Sequence, residues 1–181
     1  TDYLYQHPAT AYYNIKRSLT GSVGNDLETR FMTPYDVGWD FLVKFDHDFT
    51  GKEALQKLAE NRTRTSVTLE WNADDVAAVF ATRLRPGEDP CEDISEQSAS
   101  FPHERRAEEG YVYRADQVLA GNTVIGLTAG RIISYTYNSM ISLAFINPAY
   151  AKEGTEVTVL WGTPGTRQMK IRAKVVRFPY N

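Results

Sequence analysis

A chain of 181 residues, 42% hydrophobic and 12% aromatic, can bury its own core and does not have the composition of a disordered polypeptide. Its net charge of −3 carries no basic bias, which argues against a nucleic-acid partner. No apolar run approaches the length of a membrane span and no signal peptide is recognisable, so a cytoplasmic protein without a membrane partner is expected.

Residues 1–35 are polar and rich in tyrosine, with Gly21, Gly24 and Asn25 marking turns. The pairs Tyr3/Tyr5, Tyr12/Tyr13 and Tyr35/Trp39 suit either a packed core or a stacking surface for a planar ligand. Pro34 keeps Thr33 extended, and Phe41-Leu42-Val43-Lys44-Phe45 reads as a buried strand. Thr50 and Glu53 have capping-box spacing ahead of a short helix whose apolar face is Ala54, Leu55 and Leu58.

Between that strand and helix stand Asp46, His47 and Asp48, three ligand types in a row. Consecutive side chains of an extended chain point to opposite sides, so they converge poorly on one ion. Acidic groups are also favoured ahead of a helix N-terminus. A turn is expected here, and no metal.

"TSVTLEW" alternates like a half-buried strand. "NADDVAAVFATRL" reads as a helix capped by Asn72 or Asp74, with Val76, Val79, Phe80 and Leu84 on one face. Residues 85–110 have no period and three prolines, and read as a long loop. Cys91 within it is the single cysteine; no intramolecular disulfide can form, and its acidic neighbours disfavour a thiolate.

From residue 111 strands follow one another: "YVYRADQVL", a Gly-Asn turn, "TVIGLTAGRIISYTYNSMISLAFINP", "TEVTVLW" and "QMKIRAKVVRFPY". Such spacing indicates a barrel or sandwich. In the last strand Met169, Ile171, Ala173 and Val175 alternate with Lys170, Arg172 and Lys174. Acidic residues dominate 66–110 and basic ones 111–181, which fits complementary packing or an anionic ligand. "GTPGTR" (162–167) reads as a hairpin turn rather than a phosphate loop, and His7, His47 and His103 lack catalytic spacing.

The order of segments adds more. "TPYDVGWDFLVKFDHDFTGKEAL", then "GLTAGRIISYTYNSMISLAFINPAYAKEGTEVTVLWG", then "KIRAKVVRFPY" resembles the folate-dependent aminomethyltransferase family, which includes the glycine cleavage T-protein. The resemblance runs from about residue 19 to residue 181. "VKFDHDFTGKEAL" and "EWNADDVAAVF" look closest to tetrahydrofolate-dependent O-demethylases of methoxy-aromatics. Thr128-Ala129-Gly130 and Asp36-Val37-Gly38 depart from the family pattern, which bears on the donor more than on the fold.

The resemblance implies an α+β chain: a remnant of a folate-binding domain over 1–62, then a C-terminal antiparallel β-barrel domain over 63–181. It implies tetrahydrofolate as cofactor, a small-molecule methyl or aminomethyl donor, and the N-terminal remainder of the same polypeptide as partner. Catalytic residues are expected upstream of Thr1, leaving this piece inactive alone. Tyr35 and Trp39 are the expected pterin wall, Arg131 the contact for the anionic tail, and Tyr137 a further contact. Other readings of the same fold are the C-terminal region of a dimethylglycine or sarcosine oxidase type enzyme, an iron–sulfur assembly or tRNA-modification factor, or a non-catalytic capping or interaction module.

Overall fold

The computed structural model describes residues 17–95 and 111–180. Among the described residues eight strands and three α-helices follow one another. They are β1 (Arg17–Thr20), α1 (Leu27–Arg30), α2 (Lys52–Glu60), β2 (Thr65–Trp71), α3 (Ala73–Ala81), β3 (Tyr111–Arg114), β4 (Asp116–Ala120), β5 (Thr123–Ser134), β6 (Ser139–Ile146), β7 (Glu156–Trp161) and β8 (Met169–Val176). Six of the strands close a barrel in the order β2-β6-β5-β4-β7-β8, with every neighbouring pair antiparallel. The architecture is α+β with an antiparallel barrel, as expected.

Alternation builds the barrel. Val67, Leu69 and Trp71 of β2 point inward, and Ile171, Ala173 and Val175 of β8 do the same, while Lys170, Arg172 and Lys174 stay wet. Trp71 and Trp161 meet edge to face inside, with ring centroids 6.0 Å apart. Helix α3 seals this core. The Asn72 side chain caps it by accepting from the Asp75 amide, and Val79 is fully buried. Its buried face is narrower than expected, since Phe80 is 44% and Leu84 70% exposed. Cys91 and Ile94, from the loop that follows, complete the same cluster.

"YVYRADQVL" divides at Ala115. Its first half, β3, leaves the barrel and pairs in parallel with β1. Residues 17–43 then run over the outer wall of the barrel, where Val23, Met32 and Val37 pack against Ala115, Leu127, Leu143 and Phe145. Arginines hold this layer by its carbonyls. The Arg30 guanidinium donates to Thr20 O at 2.7 Å and Gly24 O at 2.8 Å, and Arg64 donates to Thr29 O at 2.7 Å and Phe31 O at 2.9 Å. Ser66 Oγ donates to Asp36 O at 2.7 Å, and Arg62 pairs with Asp40 at 3.0 Å.

Two local expectations are corrected. Residues 41–45 do not form a buried strand: Asp40–Leu42 is a 3₁₀ turn, with Phe41 67% and Leu42 63% exposed. Its amides are satisfied locally, Leu42 N by Trp39 O and Val43 N by Asp40 O, so no ladder is needed. The capping box of Thr50 and Glu53 is also absent. Helix α2 begins one residue later, capped by Gly51 at φ +92° without any side-chain bond, and it buries none of its residues. The tyrosine pairs at 3/5 and 12/13, and His7 and His103, lie outside the described residues.

Gly21 marks the tightest approach of the layer to the barrel. It sits at φ +90°, and a β-carbon there would stand 2.2 Å from Ala115 O. Gly21→Ala is expected to cost about 2 kcal/mol or more, because strain and clash coincide. Gly121→Ala, at φ +61° in open space, should cost about 1 kcal/mol. Urea unfolding of both variants checks the difference.

Candidate functional site

The densest polar chemistry lies where β3, β4, β5 and β7 meet the loop around Glu92. Arg114 and Asp116 stand two residues apart on an extended chain and therefore share a face. The Arg114 guanidinium donates to both Asp116 oxygens, Nε at 2.7 Å and Nη2 at 3.1 Å, and Nη1 donates to Glu92. It also lies 3.4 Å from the Trp161 ring centroid, with Arg131 stacked on the same indole at 4.7 Å. Asp116 in turn accepts from the Ser22 amide at 3.0 Å, and the Ser22 hydroxyl accepts from Gln117 N at 2.7 Å. The turn of the outer layer is thereby locked to β4.

Glu92 joins three elements. Besides Arg114, it accepts from Thr163 N at 3.2 Å, and its carbonyl accepts from Trp161 Nε1 at 3.0 Å. Burial pushes the Glu92 carboxyl up, but hydrogen bonds from Thr163 and Arg114 outweigh this and hold it below its ordinary range. For Asp116 burial prevails. Its carboxyl is pushed up despite the opposing pull of Arg114 and the Ser22 amide. Deeper in the barrel, Trp71 Nε1 donates to Ser142 Oγ at 2.8 Å, and Thr128 Oγ1 lies 2.6 Å from the same oxygen.

The four expected contact residues occupy three separate places. Tyr35 is buried in the outer layer under the Arg62 guanidinium, 5.1 Å from its ring centroid, and its hydroxyl has no hydrogen-bond partner. Trp39, four residues on, is 60% exposed. Arg131 is buried in the charged cluster, with the acids Asp116 and Asp93 near enough to feel its charge. Tyr137 lies on the β5–β6 turn and meets Tyr180 edge to face at 4.7 Å, and Tyr180 donates to Glu70 at 2.7 Å. Sequence reasoning missed Arg114, Asp116 and Glu92, for which the i, i+2 charge pair was the available signal.

Between α3, β6 and the loop at Ile94 runs a groove of about 500 Å³, lined mainly by Trp71, Val76, Phe80, Ile133 and Met140. Asp46, His47 and Asp48 form an exposed turn, in which His47 Nδ1 lies 2.9 Å from Asp46 and Lys52 donates to His47 O at 2.9 Å. Among the described residues no group of three or more His, Cys, Asp and Glu side chains is placed to hold a metal ion, and no helix is long and apolar enough to cross a membrane.

Comparison with known proteins decides the family. Sesamin methylene transferase from Sinomonas sp. (strain No.22) is 48% identical over 174 residues, which is 96% of this chain and 38% of that protein. Syringate O-demethylase from Sphingobium sp. (strain NBRC 103272 / SYK-6) is 35% identical over 180 residues, 93% of this chain and 37% of that protein. The chain is homologous to the C-terminal part of the aminomethyltransferase family.

An aminomethyltransferase from Streptomyces coelicolor is 30% identical over 135 residues, 74% of this chain and 28% of that protein. The crystal structure of glycine cleavage system aminomethyltransferase T from Bartonella henselae aligns with 81% of this chain and 31% of that one, at 16% identity and a TM-score of 0.47. No family model matches. This aminomethyltransferase homologue spans less than two fifths of the length of the first two relatives.

Glu92 gives the charged cluster its pH dependence. Its depressed folded pKa stabilises the fold above its ordinary value of 4.5, and that contribution is lost as pH falls through the lower folded value. Asp116 acts in the opposite sense, because its raised folded pKa favours folding at low pH. Glu92→Gln is therefore expected to lose about 1–3 kcal/mol at pH 7 and progressively less toward pH 3. Denaturant titrations at pH 7, 5 and 3 read this, and a constant difference would assign the effect to hydrogen bonding alone.

Proposed function

We propose that this chain is the C-terminal portion of a tetrahydrofolate-dependent one-carbon transferase. It would act with a small-molecule donor of the methoxy- or methylenedioxy-aromatic kind. The observation that carries the reading is the pair of matches to a methylene transferase and an O-demethylase. Each runs through more than nine tenths of the chain, so each takes in both the barrel and the layer that clads it. Residues 1–62 are read as the end of a folate-binding domain and 63–181 as the barrel domain that follows.

A pterin is flat and needs an apolar or aromatic wall with a few buried hydrogen bonds, and its glutamate tail favours basic groups. The outer layer fits the first need. Trp39 presents an open indole, and the buried hydroxyl of Tyr35, four residues earlier, lacks a hydrogen-bond partner. Tyr137, 44% exposed, offers a second ring surface. Arg131 fits the tail less directly, since its charge is shared with Asp116 and Asp93. In this reading it sets the field at the barrel end. Catalysis would rest mainly on positioning the folate nitrogen against the one-carbon unit, with acid–base assistance from residues outside this chain.

Calorimetry of the full-length polypeptide with tetrahydrofolate tests the reading. Saturable binding is expected, and Trp39→Ala should weaken it by about 3–10-fold through loss of ring contact. Absence of any tetrahydrofolate binding would overturn it. Incubation with syringate and with sesamin, followed by assay of the freed phenol or catechol, separates the two donor types.

A further inference from the structure

The groove of about 500 Å³ between α3 and the β5–β6 hairpin shares no residue with the layer of 17–43. Spacing and pairing give it two apolar banks. On α3, Val76 and Ala77 lie four and three residues before Phe80, which puts all three on one helix face. On the hairpin, Ile133 and Met140 are cross-strand partners and point the same way. The banks are fixed without a ligand. Val79 is buried in the barrel core, and Arg172 of β8 grips Asp75 of the helix through Nη2 at 2.8 Å and Nε at 2.9 Å. Each bank nonetheless leaves a large apolar side chain half-open, Phe80 at 44% and Ile133 at 38% exposed.

The lining sets the chemistry of an occupant. A groove of this volume between preformed apolar banks suits a small ring-bearing molecule. Phe80 and Met140 supply an aromatic ring and a polarisable thioether, and both favour an aromatic neighbour. Asn72, Ser95, Asn138 and Ser139 add amides and hydroxyls, which serve neutral oxygen substituents as donors or acceptors. Charge is disfavoured. Glu70 is the one charged residue of the lining; alternation along β2 turns its side chain away from the face of Trp71, and Tyr180 donates to it at 2.7 Å. The lining holds no Lys or Arg to offset an anion, so the desolvation of a carboxylate would go uncompensated. We propose that this groove binds a small uncharged aromatic molecule bearing ether or hydroxyl groups, and that it discriminates against the corresponding carboxylates. The site is separate from the surface read as a pterin wall, and it stands whether or not the chain serves a folate enzyme.

Titration followed by saturation-transfer NMR tests it, with veratrole, a dimethoxybenzene, as the probe and veratrate, the same ring carrying a carboxylate, as its counterpart. The 181-residue chain is used where its urea unfolding is cooperative, and the full-length polypeptide otherwise. Veratrole is expected to bind saturably, and veratrate about tenfold more weakly or worse at neutral pH, from the cost of burying its charge. Ala77 is exposed, so Ala77→Trp fills the groove without disturbing the core and should weaken veratrole by about tenfold or more. Phe80→Ala removes part of one bank and should weaken it by about 3–10-fold. Absence of saturable veratrole binding overturns the proposal. Unchanged binding in Ala77→Trp places the probe elsewhere and overturns it too, as does equal affinity for veratrate. Should Ala77→Trp lose cooperative unfolding, Phe80→Ala decides the location in its place, and an unchanged affinity there is the overturning result. Tetrahydrofolate binding by the same protein, measured by calorimetry, bears on the functional reading alone.

Discussion

The alternation of side chains along β2 and the residues leading into it is the constraint on which the rest depends. Val67, Leu69 and Trp71 face inward and make the strand part of the barrel core. Arg62, Arg64 and Ser66, on the other face, take hold of the layer from Thr29 to Asp40. A slip of one residue in register would turn the arginines into the apolar interior and release the layer at once. The pairing of Leu69 with Ser142 on one side and Val175 on the other fixes that register from both neighbours.

The "TPYDVG" segment acquires its meaning from this attachment. Thr33 N donates to the Asp36 carboxylate at 2.8 Å, and Asp36 N lies 3.2 Å from Thr33 Oγ1, so the two residues close a turn on each other. Gly38 follows at φ +72°, a conformation open to glycine without penalty. The turn then presents the Asp36 carbonyl to Ser66. A stretch that reads as a family signature is, physically, the clasp that seats Tyr35 and Trp39 on the barrel.

Legibility followed periodicity. The strands at 65–71 and 169–176 were visible from their alternation of apolar and polar residues, whereas the run from Thr123 to Pro148, read as one strand-like stretch, divides at a turn into β5 and β6. The run at 41–45 misled because five apolar-rich residues carry no period that separates a buried strand from an exposed turn. The α2 cap misled by one residue: Gly51 takes the left-handed conformation that Thr50 would resist. Asp116 and Glu92 were out of reach for a different reason. Apart from the adjacent Arg114–Asp116 pair, their contacts, Ser22 with Asp116 and Arg114, Trp161 and Thr163 with Glu92, are assembled by the barrel from distant parts of the chain. The uneven charge of the two halves was visible, and its meaning is now structural. Asp75 with Arg172, Glu88 with Arg167, and Glu92 with Arg114 pair the acidic stretch with the basic one.

Those pairs also bear on what the barrel end can recognise. A buried cation is available to an anionic ligand when its own acids are few or distant, because each paired carboxylate must be displaced or its charge offset. Arg114 is held by two carboxylates and an indole, and Arg131 shares that indole and the field of Asp116. The cluster is thus organised to hold the outer layer, β4 and the Glu92 loop in one fixed relation. The layer it immobilises carries the open indole of Trp39 and the buried Tyr35 hydroxyl, which makes no hydrogen bond. On its outer side that layer exposes Leu27, Phe31, Trp39, Phe41 and Leu42, an apolar surface kept in one arrangement by the contacts of Arg62, Arg64 and Ser66 with the chain beneath it.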